Sequence, residues 1–388
     1  YPLRGGGEMS IHLHWYLPTN GDSRGIVGAG DDSQHISGIG GQFRPATLDY
    51  LTDIARSAER LGFEGVLTPT GSWCEDAWLS TMAISQHTER LKFIVAFRPG
   101  FISPTLAAHQ AASFQRLTEG RLMINIVTGG DPVEQRRYGD RLDHDQRYAR
   151  SGEFIAAFKG VSHARNNGQP FDFHGEHYQL EQATLLPSPW PVPPVFFGGS
   201  SPAAQQVAAA QADTWISWGE PPEQVAPQLD TVRALARAQG RTPSFGIRFH
   251  VISRDTEEEA WREAARLLNG ITPERIRSAQ TLQGRTESVG QKRMSALLDD
   301  ISAEQVNPEN VRLLEIAPNI WSGYGLVRGG VGTAIVGSHQ QVAEKIQAFH
   351  NMGIAHFILS GQPHLEEAYW FAEGAGALLR RNGLLATP

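Results

Sequence analysis

The sequence predicts an α/β fold, a TIM-like (β/α)8 barrel with insertions over the C-terminal face of its strands, and three observations predict it. Short β-branched runs alternate with segments of helical period, as in right-handed βαβ units around a parallel sheet. The runs are predominantly apolar, as strands covered on both faces are. About eight of them occur in 388 residues, a length that suits one barrel with insertions.

The elements follow in order. Residues 12–17 read as the first strand. Residues 45–61 carry Leu48, Leu51, Ile54, Ala55, Ala58 and Leu61 at helical spacing with charged residues between them, and Gly62 closes that helix. Residues 65–68 form the next strand, 91–97 another, 105–117 a helix and 122–127 a strand. Further strands are expected at 194–197, 214–217, 245–251 and 356–359, with a helix at 203–211. Two stretches break the rhythm, one near 21–42, rich in Gly, Ser and Asp, and one near 256–328. Both read as irregular insertions, placed over the active-site face of a single domain spanning 9–388. Residues 1–8 look unlike a natural start and read as an expression remnant.

Composition narrows the function. The chain is 40% hydrophobic and 19% charged with a formal net charge of −7, and no basic run suggests a nucleic-acid partner. Cys74 is the sole cysteine, so neither a disulfide framework nor a cysteine-rich metal site is expected, which fits a reducing cytoplasm. No stretch approaches the roughly 18–20 apolar residues of a membrane helix. Phosphate loops of the P-loop type, HExxH metal motifs and GxSxG nucleophile elbows are absent.

The polar residues of interest fall where the expected strands end. Arg248 and His250 are two apart in one strand and so share a face, pointing into the barrel mouth. A buried Arg beside a titratable His requires an anion or a carboxylate; an anion site is the preferred reading, a structural ion pair the other. Gly361-Gln362-Pro363-His364 follows the last strand and puts a second His near its end. Arg328 sits in Leu326-Val327-Arg328-Gly329-Gly330, a glycine-rich segment suited either to a lid over an anion or to a plain connection. Phe197-Gly198-Gly199-Ser200-Ser201 leads from a strand into a helix, whose first N–H groups could hold a phosphate. A lone Cys such as Cys74 is most often a small buried hydrophobe. His12, His14 and His87 read as structural or surface residues.

Taken together these motifs resemble the bacterial luciferase-like superfamily, and within it the two-component alkanesulfonate monooxygenases. The matching stretches run from residue 12 to about 370. They include Trp15-Tyr16-Leu17-Pro18-Thr19, Pro69-Thr70-Gly71 with Cys74-Glu75-Asp76-Ala77-Trp78, Asn125-Ile126-Val127-Thr128-Gly129, and Trp218-Gly219-Glu220-Pro221-Pro222. The resemblance implies a barrel that uses FMN as FMNH2, delivered by a separate NAD(P)H-dependent flavin reductase, with O2 as co-substrate. Sulfite and an aldehyde would be released from an organosulfonate. It implies that Thr128, Tyr148, Gly199 and Ser200 contact the flavin and its phosphate, with Asn125 nearby and Cys74 close to the flavin. Trp218, Arg248, His250, Arg328 and His364 would form the substrate and catalytic set, with His250 handling a proton. A homodimer or homotetramer is also implied.

Two departures bear on the substrate. The family's Gly-Tyr-Pro-His is Gly361-Gln362-Pro363-His364 here, and its Thr-His-Gly-Asp is Thr19-Asn20-Gly21-Asp22. Amides both donate and accept hydrogen bonds, so Gln362 and Asn20 suit a hydroxyl-bearing sulfonate such as sulfoquinovose, with a simple alkanesulfonate as rival. Other readings are a sulfone or alkane oxygenase, a deazaflavin-dependent dehydrogenase and a flavin-binding carrier.

Overall fold

The computed structural model describes residues 10–27 and 43–386. The expected remnant at 1–8 and most of the insertion expected at 21–42 lie outside the described residues.

Eight parallel strands close into a barrel in sequence order: β1 (His12–Tyr16), β2 (Gly65–Thr68), β3 (Lys92–Phe97), β4 (Leu122–Ile126), β5 (Val195–Gly198), β6 (Thr214–Trp218), β7 (Ser244–Arg254) and β8 (His356–Ser360). Each pairs with its neighbour in sequence, and β8 pairs with β1, His12 opposite His356. The interior is filled by side chains including Leu67, Ile94, Met123, Phe196, Ile216 and Ile358, so the barrel is packed and its work is done at the rims.

The helix over Leu48–Leu61 begins three residues later than the spacing predicts, because the Thr47 hydroxyl accepts the Tyr50 N–H and takes the cap position. It stops at Gly62, whose left-handed φ of 91° few other residues adopt cheaply. The helix over Pro202–Gln211 opens on a Ser201 cap with proline in its first turn.

β7 is longer than predicted, at 11 residues. Its first half pairs with β6 and β8, and its second half leaves the barrel to pair with Ala334–Ser338. That strand was not expected, because its short Ala-Ile-Val-Gly-Ser run follows directly on a glycine-rich segment. The segment 256–328 is also not irregular. It holds helices over Glu257–Leu267, Pro273–Gln283 and Val289–Ala296, capped by Thr256, Thr272 and Ser288. The first carries a helical period in its buried Ala260, Trp261, Ala264 and Leu267, the other two bury only two residues each, and Trp261, Leu267, Ile276, Trp321 and Tyr324 build a separate apolar cluster beneath them.

This insertion is fastened to loops that follow barrel strands. Glu287 N–H donates to Gly130 O at 2.7 Å, and Arg285 pairs with Asp131 at 2.7 Å beyond β4. Arg293 pairs with the buried Glu220 at 2.8 Å beyond β6. Among the described residues no helix is long and apolar enough to cross a membrane.

Candidate active site

Two adjoining cavities open at the C-terminal ends of the strands. The inner, of about 330 Å³, is lined by Tyr16, Asn20, Asp22, Arg248, His250, Arg328, Gln362 and His364. The outer, of about 390 Å³, is lined by Thr128, Tyr148, Gly199 and Ser200 and is walled by Thr286, Ser288 and Gln291 of the insertion. Asn125, Trp218 and Arg248 border both. The structure thus brings together every residue singled out from the sequence except Cys74, which lines neither cavity.

Strand register places the cations. Arg248 lies opposite Trp218 on β6 and Ile358 on β8, and His250 opposite Ser360. The Arg248 guanidinium sits 4.6 Å from the Tyr16 ring centroid and donates to Ser360 Oγ at 2.9 Å. Weaker donations reach the carbonyls of Phe249 and Ile358. Burial lowers its pKa to about 10, which leaves it charged at neutral pH. Arg328 is 5.5 Å from the Tyr324 ring centroid, and its buried Nε has no hydrogen-bond partner. Burial lowers its pKa too. Among the described residues no carboxylate forms an ion pair with either guanidinium; Asp22 acts on Arg328 only at longer range.

His250 is held on both nitrogens. Nε2 is 3.1 Å from Val331 O and Nδ1 is 2.5 Å from Ser360 Oγ, while its ring stacks on Tyr324 at 3.7 Å. Since a carbonyl only accepts, Nε2 carries the proton and Nδ1 accepts from Ser360. Burial drives its pKa well below the usual histidine value, and the Arg248 charge adds to that. Burial is the larger of the two causes.

His364 opens the last barrel helix after the cis Gln362–Pro363 bond. Its N–H donates to Asp22 Oδ2 at 2.8 Å, and its Nδ1 lies 2.9 Å from Asp22 Oδ1. Gln362 donates from Nε2 to Ser23 Oγ at 3.2 Å, and its buried Oε1 has no partner.

On the outer side, Thr128 Oγ1 bonds Ser151 Oγ at 2.9 Å. Burial pushes the Tyr148 hydroxyl up to about 12. Gly199 has φ +125°, and a Cβ there would come within 2.6 Å of both Tyr148 Oη and Ala204 Cβ. The Cys74 thiol donates to Gly71 O at 3.5 Å and Pro69 O at 3.7 Å. Burial pushes its pKa up to about 12, so it stays protonated.

Sequence reasoning gave no role to Tyr16, Asp22, Ser360 or Tyr324. Tyr16 and Asp22 stood inside quoted motifs, which was the available signal. Ser360 and Tyr324 had none, because what they touch is distant in sequence.

Fold and site together define a closed (β/α)8 barrel with a cationic inner cavity under a helical cover. The model of the family described as luciferase-like monooxygenase matches residues 14–356, and the chain belongs to that family. Among solved structures it is similar to EDTA monooxygenase (EmoA) from Chelativorans sp. BNC1, with 20% identity and TM-score 0.72 over 97% of this chain and 95% of that one. It is also similar to long-chain alkane monooxygenase (LadA), at 18% and 0.75 over 98% and 94%. Riboflavin lyase (RcaE) with modified FMN and riboflavin gives 18% and 0.75 over 97% and 93%. At these identities the likeness is one of fold.

Proposed function

We propose that this protein is a two-component monooxygenase that uses FMNH2 and O2 to cleave the carbon–sulfur bond of an organosulfonate. The observation that carries the reading is the pair of guanidiniums, Arg248 and Arg328, facing one cavity whose carboxylate, Asp22, is bound to His364 and forms an ion pair with neither of them. A buried cation without a counter-charge costs several kcal/mol, and a sulfonate supplies that charge permanently with three acceptor oxygens.

Reduced FMN fits the outer cavity. Gly199 leaves a cradle that a Cβ would fill, and beside it lies the start of the Pro202–Gln211 helix, an end suited to a phosphate. Thr128, Tyr148, Gly199 and Ser200 would hold the cofactor, with Asn125 at the junction of the cavities. Bound there with O2, it supplies the oxidising chemistry by which sulfonate, FMNH2 and O2 become aldehyde, hydrogensulfite, FMN and water. A separate NAD(P)H-dependent reductase would deliver it.

The chain's own residues bind and shield. Arg248 is held by β7 and Ser360, so its charge is fixed before substrate arrives. Arg328 adds a second cation from the cover. The helices of the insertion restrict water over the outer cavity. Gln362 Oε1, an acceptor without a partner, favours a substrate that carries a hydroxyl, and Asn20 extends that polar wall. This supports sulfoquinovose over a straight-chain alkanesulfonate.

The test is sulfite release under air with FMN, NADH and a flavin reductase. Sulfite from sulfoquinovose, with at least tenfold less from alkanesulfonates, is the expected result. Sulfite mainly from alkanesulfonates removes the polar-wall reading, and none from any sulfonate removes the proposed activity.

A further inference from the structure

We infer that Asp22 is a positioning residue that fixes His364 in its Nδ1–H tautomer, making Nε2 the atom that accepts the proton lost by the substrate. The second half rests on the proposed desulfonation. The first half rests on geometry alone.

Asp22 is buried to 2% exposure, and its two oxygens meet four donors. Oδ1 accepts from His364 Nδ1 at 2.9 Å and from Ser23 N–H at 2.9 Å. Oδ2 accepts from His364 N–H at 2.8 Å and from Tyr50 Oη at 2.5 Å. Burial by itself would raise the carboxyl's pKa, but the hydrogen bonds from His364 and from the Tyr50 hydroxyl, with the charge that His364 carries when protonated, hold it below the usual value. The carboxylate is therefore ionised, and an ionised carboxylate only accepts. Nδ1 of His364 must carry the proton. The backbone contact grips the same residue at a second point, so the ring is set in direction as well as in tautomer.

Nε2 is what remains. It makes no hydrogen bond among the described residues, and His364 lines the cavity together with Arg248 and Arg328. His250 offers no such atom. Its Nε2–H is spent on Val331 O and its Nδ1 on the Ser360 hydroxyl, which itself accepts from Arg248. The two histidines of the cavity thus hold opposite tautomers: His250 is a fixed part of the wall and His364 presents a lone pair. A base must reach its proton directly or through one water, and His364 meets that condition where His250 does not.

In the proposed reaction the aldehyde forms when a C–H bond on the sulfur-bearing carbon breaks. By then one oxygen atom of O2 would have replaced the carbon–sulfur bond with a carbon–oxygen–sulfur link; the C–H electron pair becomes the second carbon–oxygen bond, the oxygen–sulfur pair leaves on sulfite, and the proton passes to Nε2. O2 is the oxidant, and FMNH2 would supply the two electrons and two protons with which its second oxygen atom leaves as water. Asp22 then faces an imidazolium, and its charge stabilises the ion pair formed.

The test has two readouts. In 15N-histidine-labelled, unmutated protein, His364, assigned with H364Q, is expected to show a protonated Nδ1 and an unprotonated Nε2, and His250 the reverse. A protonated Nε2 on neutral His364 overturns the inference without any variant having to fold. In sulfite release, D22N is expected to lower kcat by about 100-fold or more with KM within threefold, as loss of a correctly poised base does, and to let His364 populate the Nε2–H tautomer. Y50F leaves the carboxylate on His364 and is expected to keep both the tautomer and most of kcat. D22N with an unchanged kcat, or Y50F as damaging as D22N, overturns the inference. Absence of sulfite from every sulfonate overturns the functional reading and the proton's destination, while the tautomer of His364 still stands or falls by its own spectrum.

Discussion

Arg248 is expensive where it lies, because its guanidinium is buried and its fixed partners are a serine hydroxyl, two carbonyls and an aromatic face. Replacing such a group with an apolar one of similar length tends to stabilise a fold. R248M is therefore expected to raise the unfolding midpoint or leave it unchanged. The same change is expected to lower kcat/KM for the sulfonate by about 100-fold or more, since a hydrogen-bonded charge pair with substrate is worth roughly 2–5 kcal/mol. Steady-state kinetics and a thermal melt on one preparation check both. A variant that loses stability along with activity would make Arg248 a structural cation. Arg248 and His250 were legible as neighbours on one face from their spacing of two. Asp22 and Ser360 were not, because their partners lie 342 residues from Asp22 and 110 from Ser360 along the chain.

The helical insertion holds the glycine-rich segment that carries Arg328. Gln291 Oε1 accepts from Gly330 N–H at 2.8 Å, and Thr333 Oγ1 donates to Gly219 O at 2.6 Å. Removing the first contact costs about 1 kcal/mol. Q291A is expected to speed amide exchange at residues 328–332 and raise KM severalfold, with the global midpoint nearly unchanged. Unaltered exchange there would show that the segment is held by other means. All eight barrel strands were legible within a few residues, because buried parallel strands are written as continuous apolar runs. The insertion was read as irregular although its first helix repeats Ala260, Trp261, Ala264 and Leu267 at helical spacing; its other two helices bury only two residues each and lack a clear amphipathic period.

At the scale of the molecule, the two rims of the barrel carry different chemistry. The N-terminal rim holds His12, His14 and His356 in a stack beside Glu64, with His14 Nε2 at 3.0 Å from His356 Nδ1. Burial lowers the His14 pKa to about 4 and drives His356 well below its usual value. Both are neutral in the folded state and take up protons more readily when unfolded. Their stabilisation is complete above about pH 6.5 and is lost as pH falls, the His14 share, on the order of 3 kcal/mol, by about pH 4. Unfolding free energy measured across that window is expected to fall, and H14Q to flatten the slope. A slope unaffected by H14Q would place the acid sensitivity elsewhere.

The C-terminal rim carries the central claim, that two unpaired guanidiniums form a site for a sulfonate anion. Binding measured anaerobically with reduced FMN, comparing a sulfonate with its uncharged methyl sulfone isostere, tests it most directly. The sulfonate is expected to bind at least 100-fold more tightly, and the double variant R248M/R328M to abolish the difference. Equal affinity for the two ligands in the unmutated protein would contradict the account.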